Sequence, residues 1–157
     1  MRTRARIVAA FASTAAAALL LTAGTASADD GSGRSEAHGS TAIASVDWHV
    51  SRDGSGHAKG YFEGVATQPG GALVDLKGPA TCVEFDGNKV GFLYPVEDDS
   101  RPFLLKGQYV LITGEDNGGH GRDKMGFVGP APKEFFPNCR PGLAPLTVDE
   151  GHISVDH

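Results

Sequence analysis

Ala44-Ser45-Val46-Asp47-Trp48-His49-Val50 is the stretch whose reading decides the fold. Side chains on an extended strand point alternately to opposite faces, so Ala44, Val46, Trp48 and Val50 share one side and Ser45, Asp47 and His49 the other. Arg52-Asp53-Gly54-Ser55-Gly56 then supplies turn residues. From His57 to Gly64, Ala58, Gly60 and Phe62 alternate with Lys59, Tyr61 and Glu63. The two runs predict a β-hairpin with one greasy face.

Further strand-like runs lie C-terminal to this hairpin. Ala72–Leu76 reads as a short strand, interrupted by Lys77-Gly78-Pro79 and resumed over Ala80–Phe85. Asp86-Gly87-Asn88 is a hairpin turn, because Gly and Asn tolerate positive φ, and Lys89–Val96 is the returning strand. Gln108-Tyr109-Val110-Leu111-Ile112-Thr113 is the most β-prone run, rich in β-branched and aromatic types. Lys124–Gly129, Leu146–Val148 and His152–Val155 complete the set. Between them, residues 130–145 carry five prolines, which withhold backbone donors, so this segment is expected to be irregular. No window of the mature chain shows a convincing helical period. The pattern predicts a single all-β domain over residues 42–157, a small antiparallel β-barrel or β-sandwich of about seven or eight strands.

The residues before this domain set the compartment. Arg2, Arg4 and Arg6 precede an apolar run from Ile7 to Leu21, and Ala26-Ser27-Ala28 gives an A-x-A cleavage site. Residues 1–28 therefore read as a secretory signal peptide, and the mature chain as a secreted, extracellular protein. The apolar run is shorter than the ~20 residues a membrane span needs. Residues 29–41, rich in Gly and Ser, read as a flexible polar leader. Three of the 14 Lys and Arg residues leave with the signal, so 11 face 19 acidic residues in the mature chain, a net charge of −8 with His neutral. Such an acidic body argues against a nucleic-acid partner, whose phosphates call for a basic footprint, and against an anionic membrane surface.

Cys82 and Cys139 are the only cysteines. An even count in an oxidising compartment predicts one disulfide. Chain entropy alone assigns such a bridge about 4 kcal/mol as an upper guide. Without a C-x-x-C pair, a cysteine metal site is the weaker reading.

Glu115 to Asp123 holds oxygen donors among flexible glycines: Asp116, Asn117, Gly118, Gly121 and Asp123 form D-N-G-x-x-G-x-D. Calcium takes six to eight oxygens, and this composition can supply several. The spacing is not that of an EF-hand. The plainer alternative is a structural turn in which the carboxylates accept backbone N–H bonds. This turn, the strand Val110–Thr113 before it, Met125-Gly126-Phe127 after it and Gly151-His152-Ile153-Ser154-Val155 near the end resemble a bacterial secreted β family, the domain found following choice-of-anchor proteins. Ala80-Thr81-Cys82-Val83 and Asp86-Gly87-Asn88 resemble its middle strands. The likeness covers Trp48 to the C-terminus loosely, and the Pro-rich segment with Cys139 departs from it. It implies a barrel-like or sandwich domain and brings no catalytic residue.

Chemistry-bearing residues are otherwise scattered. His38, His49, His57, His120, His152 and His157 show no H-E-x-x-H spacing; His120 and His152 could approach one another, with Asp116 or Asp123 as the third ligand a zinc site needs. Asp47, Glu63, Asp75 and Glu84 lie on strands, where a pair facing a cleft could serve a hydrolase, though alternation places them on a solvated face. No G-x-S-x-G occurs. Trp48, Tyr61, Phe62, Tyr94 and Tyr109 could make a glycan-binding platform but suit a core better. The leading expectation is a non-enzymatic extracellular module, structural or binding an extracellular protein or glycan. The alternatives are a small secreted hydrolase with a carboxylate site and a protease inhibitor presenting the Pro-rich Cys139 loop.

Overall fold

The computed structural model describes residues 31–67, 70–71 and 73–157. The signal peptide expected over residues 1–28 lies outside the described residues. Ten strands run in chain order: β1 (Gly33–Ser40), β2 (Ala44–Arg52), β3 (Ala58–Thr67), β4 (Leu73–Pro79), β5 (Cys82–Asp86), β6 (Lys89–Pro95), β7 (Tyr109–Glu115), β8 (Lys124–Ala131), β9 (Leu146–Thr147) and β10 (Glu150–Asp156). They form two antiparallel five-stranded sheets, β10-β1-β2-β3-β4 and β5-β6-β7-β8-β9. Among the described residues no ladder joins the two, so the barrel alternative is not what the chain builds. Among the described residues the only helical pieces are single 3-10 turns at Phe103–Leu105 and Lys133–Phe135.

The deciding stretch behaves as its alternation requires. Ala44, Val46, Trp48 and Val50 are all buried and Ser45, Asp47 and His49 all exposed. The buried faces of both sheets meet in one core. Trp48 lies 5.5 Å from Phe92 across the sheets, and Phe62 stacks on Tyr94 at 4.8 Å, ring centre to ring centre. Each of these fully buried side chains contributes about 1.5–3 kcal/mol.

Three expectations are corrected. Residues 29–41 were expected as a flexible leader, yet 33–40 form β1, laddered to β2 on one side and β10 on the other. The segment is poor in large apolar residues, but Ser35 and Ala37 point inward at the right period. Its backbone is satisfied by two neighbours, and this tertiary context outweighs local propensity. Secondly, Lys77-Gly78-Pro79 does not interrupt a strand. It ends β4, an edge strand where proline costs no ladder bond, and the chain then changes sheet into β5. Thirdly, the strands among the described residues number ten and not seven or eight, because the leader contributes one and the short final runs pair as β9 and β10.

The Pro-rich segment is irregular as expected, and its course is specific. Cys139 is bonded to Cys82 of β5. From there the backbone crosses the outer face of the second sheet. Gly91, Thr113 and Gly126 lie side by side on β6, β7 and β8. A Cβ on Gly91 would collide with the Cys139 carbonyl, and one on Gly126 with that of Leu143. Thr113 Oγ1 accepts the Gly142 N–H at 2.8 Å. Leu93, Phe136 and Cys139 are buried beneath this strap as a second, smaller core.

Candidate functional site

The D-N-G-x-x-G-x-D turn joins β7 to β8, and every carboxylate oxygen in it has a backbone donor. Asp116 Oδ1 accepts the Gly118 N–H at 2.8 Å, and Asp123 Oδ1 accepts the Asn117 N–H at 2.9 Å. The other two oxygens reach across to the opposite sheet: Asp123 Oδ2 accepts from Ile153 N at 2.7 Å and Asp116 Oδ2 from Val155 N at 3.2 Å. Ile153 and Val155 belong to β10, an edge strand whose free N–H groups would otherwise need water or another chain. Asn117 Nδ2 donates to the Arg122 carbonyl at 2.8 Å and closes the turn, while Gly118 takes φ +51°, which suits glycine. Gly121 is exposed. The two halves of the family-like pattern, the turn and Gly151-His152-Ile153-Ser154-Val155, are thus in direct contact.

The structure does not assemble the proposed zinc ligands. His120 is exposed, and the only trio of metal-type ligands within reach of one ion, among the described residues, is Cys82, Glu84 and Cys139, whose sulfurs are joined to each other.

The strand carboxylates are dispersed. Asp47 and Glu63 stand opposite each other on β2 and β3, on the solvated face of the first sheet. His38 Nδ1 lies 2.9 Å from Asp47 Oδ2, but the two side chains are 85% and 63% exposed, where such a pair is worth little. This face bears an open groove of about 560 Å³. Asp75 belongs to the β4 edge, where its backbone bridges Arg101, and Glu84 lies beside Arg140 at 3.5 Å. The Cys139 segment, which a bait loop would hold clear of the body, lies against β6 and β8, although Leu143 remains exposed.

The aromatic residues divide between core and surface. Trp48, Phe62 and Tyr94 are buried, so they make no surface platform. The Trp48 indole N–H is satisfied by Ser35 Oγ at 3.1 Å, a partner supplied by the segment expected to be flexible. On the outer face, Tyr61 donates to Glu97 Oε2 at 2.6 Å.

Sequence reasoning missed a cleft between the sheets, of about 320 Å³. Phe62, Tyr94, Val110, Ile112 and Met125 form its depth, and Ile43, Val65 and Phe127 its half-exposed mouth. Among the described residues no charged residue lines it, and Thr67 and Tyr94 are its only polar side chains. Burial pushes the Tyr94 hydroxyl well above the ordinary phenol range, and no hydrogen bond opposes or assists this. The sequence held one faint signal, Val65, an apolar residue in phase with Tyr61 and Glu63 on the polar side of β3. Among the described residues no helix is long and apolar enough to cross a membrane. Comparison of the chain with protein-family models, with curated proteins and with solved structures finds no match.

Proposed function

We propose that this protein is an exported, non-enzymatic binding module, a β-sandwich that holds a small apolar ligand between its sheets. The observation that carries this reading is the uncharged cleft of about 320 Å³ rimmed by Ile43, Val65 and Phe127. Small-molecule sites are concave and mostly apolar, with volumes of roughly 300–1,000 Å³. Half-exposed apolar side chains around such an opening are a surface that water solvates poorly. Export is supported by the signal-like first 28 residues and agrees with a formed disulfide. The likeness to the bacterial secreted β family draws support from the contact between its turn and its final strand.

Titration with a neutral solvatochromic dye tests the reading. The mature protein should give a saturable, blue-shifted emission, and Ala44→Leu, which fills the cleft from β2, should abolish it. Unsaturable emission, or equal binding by the variant, would overturn the proposal.

A further inference from the structure

The outer face of the first sheet brings together residues that the sequence keeps far apart. Strand pairing places His152 of β10, His38 of β1, Asp47 of β2 and Glu63 of β3 side by side in one row across four strands. All four are exposed, whereas the adjacent row, Ile153, Ala37, Trp48 and Phe62, is buried, so the first row faces solvent as a unit. Directly opposed residues of an antiparallel pair have Cβ atoms about 4.5–5.5 Å apart. Two imidazoles at that spacing can meet at one ion through bonds of about 2.0–2.1 Å.

His38 already has its orienting partner. Its Nδ1 lies 2.9 Å from Asp47 Oδ2. A carboxylate only accepts, so in the neutral ring Nδ1 carries the hydrogen and Nε2 keeps the lone pair. A carboxylate on one ring nitrogen, with the other turned to the metal, is the usual arrangement of a metal-binding histidine. At 85% and 63% side-chain exposure this contact adds little to stability. The surroundings favour a cation: Asp47, Glu63 and Glu150 line the same groove as His38. Lys77, which continues the row beyond Glu63, is paired with Asp99 at 2.7 Å.

We propose that His38 and His152 form a two-imidazole site for a divalent transition-metal ion, held in place by the carboxylate of Asp47 and strongest for Cu²⁺. Imidazole suits copper, nickel and zinc, and affinity rises to Cu²⁺ and falls again at Zn²⁺. Ca²⁺ takes oxygen ligands and should not compete. The site gives His152 a partner on β1, where the sequence suggested His120. It shares no residue with the cleft between the sheets, so it stands independently of the ligand reading.

Titration of the mature protein with Cu²⁺ alone, followed by calorimetry and electron paramagnetic resonance, tests the site. One ion should bind per chain, and its spectrum should carry coupling from two imidazole nitrogens. His38→Gln and His152→Gln should each weaken binding at least tenfold, and Asp47→Ala about tenfold. His49→Gln, on the same face but outside the row, should change nothing. Nuclear magnetic resonance of the unaltered protein needs no variant to fold: traces of Cu²⁺ should broaden the ring signals of His38 and His152 before those of the other histidines. A spectrum with a single nitrogen, equal broadening of all histidines, affinity unchanged in His38→Gln or His152→Gln, or loss of binding in His49→Gln overturns the proposal.

Discussion

At one end of the β7–β8 pair, Asp116 and Asp123 place four carboxylate oxygens on four backbone N–H groups and so tie the second sheet to β10 of the first. At the other end, the same two strands line a cleft in which, among the described residues, no charged side chain stands. One end is complete in itself. The other is an open space lined by apolar side chains. The difference teaches where this fold invests its specificity: charge-assisted bonds close the corner where an edge strand is open, and the adaptable apolar surface is confined to the far end.

The largest effect should come from the closed end. Asp123→Ala removes the acceptor of both Asn117 and Ile153 and is expected to cost about 2–4 kcal/mol in denaturant unfolding. Asp116→Ala should cost less, because its bond to Val155 is longer, at 3.2 Å. Both variants should still bind the dye. A clip variant that folds stably and loses dye binding would break the separation of the two ends.

At the open end the sign reverses. Ala44→Leu fills space that is empty in the folded chain, so it should raise stability by about 1 kcal/mol while removing binding. A loss of stability equal to that of a clip variant would mean the cleft is already close-packed.

The pH response sharpens the contrast further. Burial raises the Tyr94 pKa above the ordinary value of 10. The folded state therefore keeps the neutral phenol where an unfolded chain begins to lose its proton. That contribution is complete below the unfolded value and is lost as pH rises through the higher folded one. Dye affinity should stay flat up to about pH 10 and then fall together with the fold. A decline beginning near neutrality would show that a charged group controls the cleft.

The smallest expected change is none. EGTA should leave the melting temperature of the mature protein where it is, since backbone N–H groups already occupy the carboxylate oxygens of the turn. A drop of several degrees would make that turn a calcium cradle and the clip its apo form.

Much of this was legible in the chain. Alternation around Trp48 named the inward residues of β2, and the paired cysteines announced their bridge. Asp116 and Asp123 stood out as a turn of unusual composition, but their partners did not, because Ile153 and Val155 present backbone N–H groups whose sequence identity is immaterial. The cleft was hidden for a related reason. Phe62, Val110 and Met125 look the same in sequence whether they meet another side chain or an empty space.

What the sequence determined by itself is therefore the period-two pattern, the all-β class and the staple, since each depends on residues near in sequence or on a count of two. Only the tertiary structure decided that the polar segment Gly33–Ser40 is a strand paired on both sides and that Gly91, Thr113 and Gly126 form a track for the strap. It also decided that the Trp48 indole N–H meets Ser35 Oγ. Those facts belong to register and to sheet-on-sheet contact. Long-range pairing satisfies backbone groups regardless of local propensity, and the space two sheets leave between them is a property of neither sheet alone.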